Sequence, residues 1–197
     1  MRFISLGYDC YAKKALKKIN LEGISFPFDN IITPIESLIK LLQNNFNNFL
    51  QVEQMGNPVI YYNKTYNIKF PHDNFLKMDE NIKYIRRIDR FNNFFKSNDI
   101  LCFIRTRDHS LNNLEKDLEY SKELFKVIKD KHEDLKFFLI YIKVVPITVN
   151  LVKIIRNIQD FNKNNTPLNE DLFSIYYNNV NLGDFDLEKR ILNYNAT

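Results

Sequence analysis

Three short segments of this chain are apolar along their whole length. They are residues 3–6, 100–104 and 137–142, and stretches with helical periodicity separate them. A strand that is apolar on both faces is typical of a parallel sheet covered by helices. The pattern predicts an α/β fold: a three-layer domain with a mostly parallel central sheet flanked by helices. We expect one domain over residues 1–197, because no repeat or linker divides the sequence.

The first two helices are predicted between the first strand and residue 46. Residues 11–19 carry apolar side chains on one face, and the other face holds a lysine cluster that we interpret as solvated: Lys13, Lys14, Lys17 and Lys18. Thr33 and Glu36 have the spacing of a capping box, and Pro34 occupies the first helical position. A helix should therefore follow.

A hairpin and further helices complete the predicted fold. Residues 58–70 predict a small hairpin insertion that turns near Asn63 and Lys64. Asp79 can cap a third helix that runs to about residue 96. Its inward apolar side chains should be Ile82, Ile85, Ile88 and Phe95. Further along the chain, the periodicity predicts helices over residues 111–131 and 149–161 and a last strand over residues 172–177.

The turn after the first strand is the most distinctive local feature. Gly7, Tyr8, Asp9 and Cys10 follow this strand, and residues 105–109 follow the second one. Ligands bind beyond the carboxyl ends of parallel strands, so both segments should meet at one edge. Cys10 also precedes a helix, where free N–H groups and the dipole favour an anion. This position suits a thiolate nucleophile, an anion-binding turn, or a small half-buried residue.

Five motifs occur in order along the first half of the chain: SLGYDC, FPFDN, FPHDNF, RRIDRF and CFIR. This set resembles the putative papain-like cysteine peptidase family, from about residue 3 to about residue 105. The resemblance implies that Cys10 and His72 are the cysteine and the histidine of the family, and it also matches Asp73 and Asp29. The family commonly has an aromatic residue after PFD, where this chain has Asn30.

Papain-like chemistry needs a thiol at a helix start, an imidazole that activates it and a polar group that orients the imidazole. Cys10 would be the nucleophile and His72 the general base, with Asp73 or Asp29 as the orienting group. Asn30 could replace them in that role. His109 is the competing base, because it lies beyond the second strand, whereas His72 could be a loop histidine with local hydrogen bonds.

The arginines support a second hypothesis. Lys83, Arg87 and Arg90 fall on one helix face, with Arg86 beside them, and Arg105 follows a buried strand. Arginine matches phosphate and carboxylate oxygens, although these side chains could instead pair with neighbouring acidic groups. Three of them match the family pattern: Arg87, Arg90 and Arg105. We expect Arg87 and Arg105 to face the same cleft as Cys10, held by Asp29 or Asp73.

Three functions follow from these patterns. The first is a cysteine-dependent hydrolase or acyltransferase. The second is an anion-binding protein or a glycan or nucleotide-sugar transferase that uses Gly7, Tyr8 and the arginines Arg87, Arg90 and Arg105. The third is a non-catalytic interaction domain. The sequence predicts a small-molecule, peptide or glycan substrate without naming it.

Composition limits the partners and the cellular compartment that we expect for this protein. The net charge of +4 is not concentrated in any block, which disfavours nucleic acid or a membrane surface as partner. The two cysteines, Cys10 and Cys102, indicate a reducing, cytoplasmic compartment, and Cys102 should be inert inside its apolar run. No spacing of cysteine and histidine suggests a metal, and no cofactor is expected.

Overall fold

The computed structural model describes residues 2–21, 23–97, 99–106, 114–132, 137–142, 172–177 and 180–184. Its elements in chain order are β1 (Arg2–Ser5), α1 (Tyr11–Lys18), α2 (Ile35–Gln43), β2 (Glu53–Met55), β3 (Ile60–Asn63), β4 (Ile68–Phe70), α3 (Met78–Phe94), β5 (Leu101–Thr106), α4 (Leu114–Lys131), β6 (Phe137–Ile142), β7 (Leu172–Tyr177) and β8 (Val180–Asp184). The chain is therefore a mixed α/β protein.

The larger sheet has the strand order β1-β5-β6-β7-β8. The first four strands are parallel neighbours, and β8 is antiparallel to β7. The three apolar segments form β1, β5 and β6 at its start, and the predicted last strand is β7, so these predictions are confirmed. Strand β8 was not predicted. The three-layer arrangement and the single domain stay predictions, and the predicted helix over residues 149–161 lies outside the described residues.

The smaller sheet is antiparallel, in the order β2-β3-β4. The predicted hairpin is its β3–β4 pair, in which Asn63 lies opposite Ile68. The third strand, β2, was not predicted. One antiparallel bridge joins the sheet to the segment before α2, because Ile32 and Lys69 exchange backbone hydrogen bonds of 2.9 and 3.1 Å.

Both predicted helix caps are wrong. Pro34 is the N-cap of α2 and not its first helical residue, and no side-chain cap hydrogen bond is formed. Thr33 cannot serve as the cap because its backbone is held elsewhere: its N–H donates to the Tyr8 carbonyl at 2.8 Å, and its side chain is buried. Helix α3 begins after Lys77, which places Asp79 within its first turn.

The predicted inward face of α3 is confirmed only in part, because Ile88 and Phe95 pack against the core but the other two isoleucines do not. Ile82 and Ile85 are exposed, Ile85 by 51%, whereas Tyr84 is fully buried and Phe91 is 1% exposed. Phe91 makes edge-to-face contacts with several other aromatic rings: Phe26, Phe28, Phe46 and Phe95. An aromatic ring buries more apolar surface than an isoleucine and gains from such ring contacts. The aromatic residues therefore set the rotation of the helix.

We predict that Phe91→Ala lowers the free energy of unfolding by about 3–5 kcal/mol, because the truncated ring leaves a cavity in the core. Ile85→Ala on the same helix is the matched control and should change it by less than about 0.5 kcal/mol. Urea unfolding of both variants measures the difference. A larger loss of stability in Ile85→Ala than in Phe91→Ala would mean that the face of α3 that carries Ile85 packs against the core.

Candidate functional site

The turn between β1 and α1 is hydrogen-bonded to the end of β5. The parallel pairing continues beyond the strand, because Leu6 N–H donates to the Ile104 carbonyl and Thr106 N–H donates to the Gly7 carbonyl, each at 2.8 Å. The Thr106 hydroxyl accepts the Tyr8 N–H at 3.1 Å. The backbone that leads to Cys10 is thus held in place by a strand almost one hundred residues further along the chain.

Gly7 lies where a side chain would be strained. Its φ is +81°, a left-handed conformation that glycine adopts without steric cost. A Cβ at this position would lie 3.6 Å from Arg105 Nη1 and 3.9 Å from the Phe28 carbonyl oxygen. The turn therefore packs directly on the FPFDN segment, which brings three of the motifs together. The Gly7–Tyr8 peptide bond is cis.

Cys10 is the N-cap of α1 and is half-buried, with a free thiol. The hydrogen-bond ladder of the helix begins at Lys14, whose N–H donates to the Cys10 carbonyl at 2.9 Å. The Asp9 carboxylate accepts the Tyr11 N–H at 2.8 Å, which closes the turn in front of the helix. The exposed Lys14 ammonium interacts with the Cys10 thiol, and this interaction raises the pKa of Lys14.

Cys102 has the opposite environment. It is fully buried in β5, opposite Phe3 of β1. Burial raises the pKa of this thiol far above its ordinary value. Its thiol is therefore protonated and inaccessible, which is the environment expected of an unreactive cysteine. That Cys102 reacts more slowly than Cys10 stays a prediction.

Arg105 is fully buried at the end of β5. Its Nη1 donates to the Leu6 carbonyl and its Nη2 donates to the Thr33 carbonyl, both at 2.7 Å. The prediction that Asp29 or Asp73 holds this side chain is therefore wrong, because backbone carbonyls at the strand and helix ends hold it. Its predicted role in substrate binding stays a prediction.

Asp29 is buried against α1. Its Oδ2 accepts the Lys13 ammonium at 3.1 Å and the Phe26 N–H at 2.9 Å, while Oδ1 has no hydrogen-bond partner among the described residues. Burial raises the pKa of Asp29, and Lys13 and Arg87 oppose that shift. The interpretation of the lysine cluster as a solvated face is wrong for Lys13, which is 9% exposed.

Asp73 is turned toward α3. Its Oδ1 accepts the Lys83 ammonium at 2.6 Å, and its Oδ2 accepts the Tyr84 hydroxyl at 2.7 Å. His72, its neighbour in the chain, is exposed, and within the described ranges its imidazole forms no hydrogen bond or ion pair. Asp73 thus anchors the segment that carries His72 without bonding to its ring. The catalytic roles assigned to both residues stay predictions.

The two other histidines add little to this geometry. His132 stacks on Phe95 with ring centroids 4.1 Å apart, and its burial lowers its pKa. His109, the competing base, lies outside the described residues. Neither His72 nor His132 hydrogen-bonds the Cys10 thiol in the described part of the chain.

The remaining arginines lie on α3. Arg87 places its guanidinium carbon 5.0 Å from the centroid of the Tyr84 ring, and it lies close enough to Asp29 to act on its pKa. Arg90 is half-buried and Arg86 is exposed. Asn30 has φ +64°, a left-handed conformation that asparagine tolerates better than an aromatic residue does.

The charged residues of three motifs, Asp29, Asp73 and Arg87, thus have close partners in the folded chain. The sequence identified these three residues but missed two of the partners: Lys13, which pairs with Asp29, and Tyr84, which contacts both Asp73 and Arg87. Helical spacing alone could not distinguish Lys13 from its exposed neighbours. Among the described residues, no group of three histidine, cysteine or acidic side chains could hold a metal ion, and none of the helices is long and apolar enough to cross a membrane.

The site consists of a parallel strand, a glycine in the left-handed conformation and a cysteine at the start of a helix. These features define a class of α/β protein in which an accessible thiol lies on a fixed turn. Comparison with known proteins agrees with this class. Residues 1–145 match the family described as "Putative papain-like cysteine peptidase (DUF1796)", and the chain belongs to that family.

One curated relative is an uncharacterized protein of Acanthamoeba polyphaga mimivirus. It is 32% identical over 135 residues, an alignment that covers 52% of this chain and 60% of the relative. The matched part of the chain therefore spans less than two thirds of that relative's length. No solved structure matches the chain significantly.

We expect Arg105→Met to lower the free energy of unfolding by roughly 3–5 kcal/mol, because the Leu6 and Thr33 carbonyls would lose a buried charged donor. Arg105→Lys should recover only part of this loss, since one ammonium cannot reproduce the planar fork. Arg86→Met, on an exposed side chain, is the control and should cost less than about 0.5 kcal/mol. Chemical denaturation checks all three, and equal stability of Arg105→Met and wild type would contradict the bridging role.

The ionisation of Asp29 should make the free energy of unfolding depend on pH, in a direction that follows from its pKa shift. Its pKa in the folded chain is raised, so its contribution to stability is fully present below the ordinary range of aspartate, about pH 4, and is lost as the pH rises through the raised value. The free energy of unfolding of wild type minus that of Asp29→Asn should therefore fall with increasing pH. Urea unfolding between about pH 4 and pH 7 measures this difference. Asp79→Asn, which changes an exposed carboxylate, is the control variant. A difference that grows with pH would show that Lys13 and Arg87 outweigh burial.

Proposed function

We propose that this protein is a cysteine-dependent hydrolase in which Cys10 is the nucleophile. The observation that carries the proposal is the position of the Cys10 thiol: it is half-buried and reachable at the start of α1, on a turn that β5 fixes. A fixed backbone lowers the cost of aligning a nucleophile with its substrate. The family to which the chain belongs supports the same class of chemistry.

In the proposed reaction, the Cys10 thiolate attacks a substrate carbonyl carbon and forms a tetrahedral oxyanion. The Ala12 N–H has no acceptor among the described residues, and with other first-turn groups it can donate to that oxyanion. Collapse gives a thioester and releases the leaving group with a proton from the general acid. Attack by water then regenerates the thiol, whereas attack by another nucleophile would make the protein an acyltransferase.

Two groups are proposed to assist the thiol. Lys14 lies against it and can stabilise the thiolate by charge, which its raised pKa supports. The base is His72 or His109, and Asp29 supplies a buried carboxylate oxygen that could orient an imidazole. His72 is our first choice because it belongs to a family motif. Hydrogen bonds of catalytic groups often tighten only when substrate binds.

The alternative, an anion-binding transferase that uses Arg87, Arg90 and Arg105, has weaker support. Arg105 already donates to two backbone carbonyls, and Arg87 lies over the Tyr84 ring. A ligand anion would have to compete with these contacts. We therefore favour the hydrolase, with a peptide or another acyl compound as substrate.

Alkylation with iodoacetamide at neutral pH tests the proposal. Label should appear at Cys10 well before Cys102, because burial keeps the Cys102 thiol protonated and out of reach. His72→Gln should slow labelling by about tenfold if His72 activates the thiol, and His109→Gln should not. Peptide mapping by mass spectrometry follows both sites.

Lys14→Met should also slow labelling of Cys10, because it removes the positive charge beside the thiol. Lys17→Met, on an exposed side chain one turn further along α1, is the matched control and should leave the rate unchanged. Equal, slow labelling of both cysteines would remove Cys10 as nucleophile. Fast labelling that depends on His109 and not on His72 would keep the thiol and move the base.

A further inference from the structure

We propose that Tyr84 is a positioning residue that fixes the segment carrying His72. This inference rests on the proposed function, since it concerns how that site is held together. Tyr84 lies outside the five sequence motifs, and nothing in the sequence marked it as part of the site. Its contacts reach two of the site residues, Asp73 and Arg87, from one fully buried side chain.

The hydroxyl is the first part of the argument. It donates to Asp73 Oδ2 at 2.7 Å, and Asp73 is nearly enclosed, with a side chain 7% exposed. Water cannot readily replace a donor at such a place, so removal of the hydroxyl leaves a buried carboxylate oxygen unsatisfied. Because His72 is the preceding residue, the position of Asp73 fixes the backbone from which the imidazole projects.

The ring is the second part. The Arg87 guanidinium carbon lies 5.0 Å from its centroid and the Lys83 ammonium lies 5.2 Å from it. Phe75 stacks on the same ring with centroids 5.6 Å apart and an interplanar angle of 17°. These contacts fix the ring, and with it the position of the hydroxyl that holds Asp73.

The phenol has a chemical reason to be a tyrosine. Burial and the Asp73 carboxylate raise the pKa of Tyr84 far above its ordinary value, so the hydroxyl stays protonated and remains a donor. A phenylalanine would keep the aromatic packing with Phe49 and Phe70. Only the contact with Asp73 requires the oxygen, which makes Tyr84→Phe a selective test.

Tyr66→Phe is a matched control. Tyr66 is also buried, 6% exposed, and its hydroxyl donates to a backbone carbonyl, that of Asn47, at 2.7 Å. Both variants lose one buried hydroxyl hydrogen bond and should lose comparable stability. They differ in whether the lost bond holds the segment of His72.

The experiment measures two quantities in the full chain. The first is the NMR signal of the His72 imidazole C–H, which should shift and broaden in Tyr84→Phe and stay unchanged in Tyr66→Phe. The second is the effect of His72→Gln on the alkylation rate of Cys10. We expect roughly tenfold slowing in wild type and Tyr66→Phe, and little further slowing in the Tyr84→Phe background.

The outcomes separate the two proposals. An unchanged His72 signal in Tyr84→Phe overturns the positioning role, whatever the alkylation rates show. A changed signal, with no effect of His72→Gln on alkylation in wild type, supports the positioning role and removes His72 as the base. Equal changes of the signal in Tyr84→Phe and Tyr66→Phe reflect general destabilisation and also overturn the role.

Discussion

A buried guanidinium that donates to two backbone carbonyls underlies the thiol-bearing turn. Arg105 donates to the carbonyls of Leu6 and Thr33, the places where β1 ends and where the chain turns into α2. Each carbonyl belongs to a different part of the chain, so one side chain fixes their separation. Gly7 passes beside the Arg105 head group with a φ of +81°, and this left-handed backbone explains why the position has no side chain. The path of the backbone to Cys10 follows from these contacts.

Most of the charged motif residues hold the fold together at close range. Asp29 bonds Lys13, Asp73 bonds Lys83 and Tyr84, and Arg105 bonds the backbone. Cys10 and His72 stand apart, since one is half-buried and the other exposed. A buried charge is costly unless it is paired, so the paired residues form a scaffold. Cys10 and His72, which lie outside this scaffold, are the groups that we propose take part in the chemistry.

The sequence predicted the strands of the larger sheet well, because strands buried on both faces are apolar without interruption. It predicted the face of α3 poorly: Ile82 and Ile85 have the right spacing, but Tyr84 and Phe91 bury more surface. It also predicted an exposed Lys13, because Asp29, the partner with which Lys13 is buried, is sixteen residues away in the chain. Periodicity reports on local geometry, whereas these positions depend on contacts between distant segments.

The hydrogen bonds of Arg105 and Thr106 also constrain the order of folding. They join the turn to residues 97 to 99 positions later in the chain. A nascent chain that has not yet produced β5 has no partner for the β1 edge and nothing to hold the Gly7 conformation. Contacts of such long sequence separation form slowly, because a large loop must close first. The turn that carries the thiol can therefore form these hydrogen bonds only after residue 106 has been synthesised.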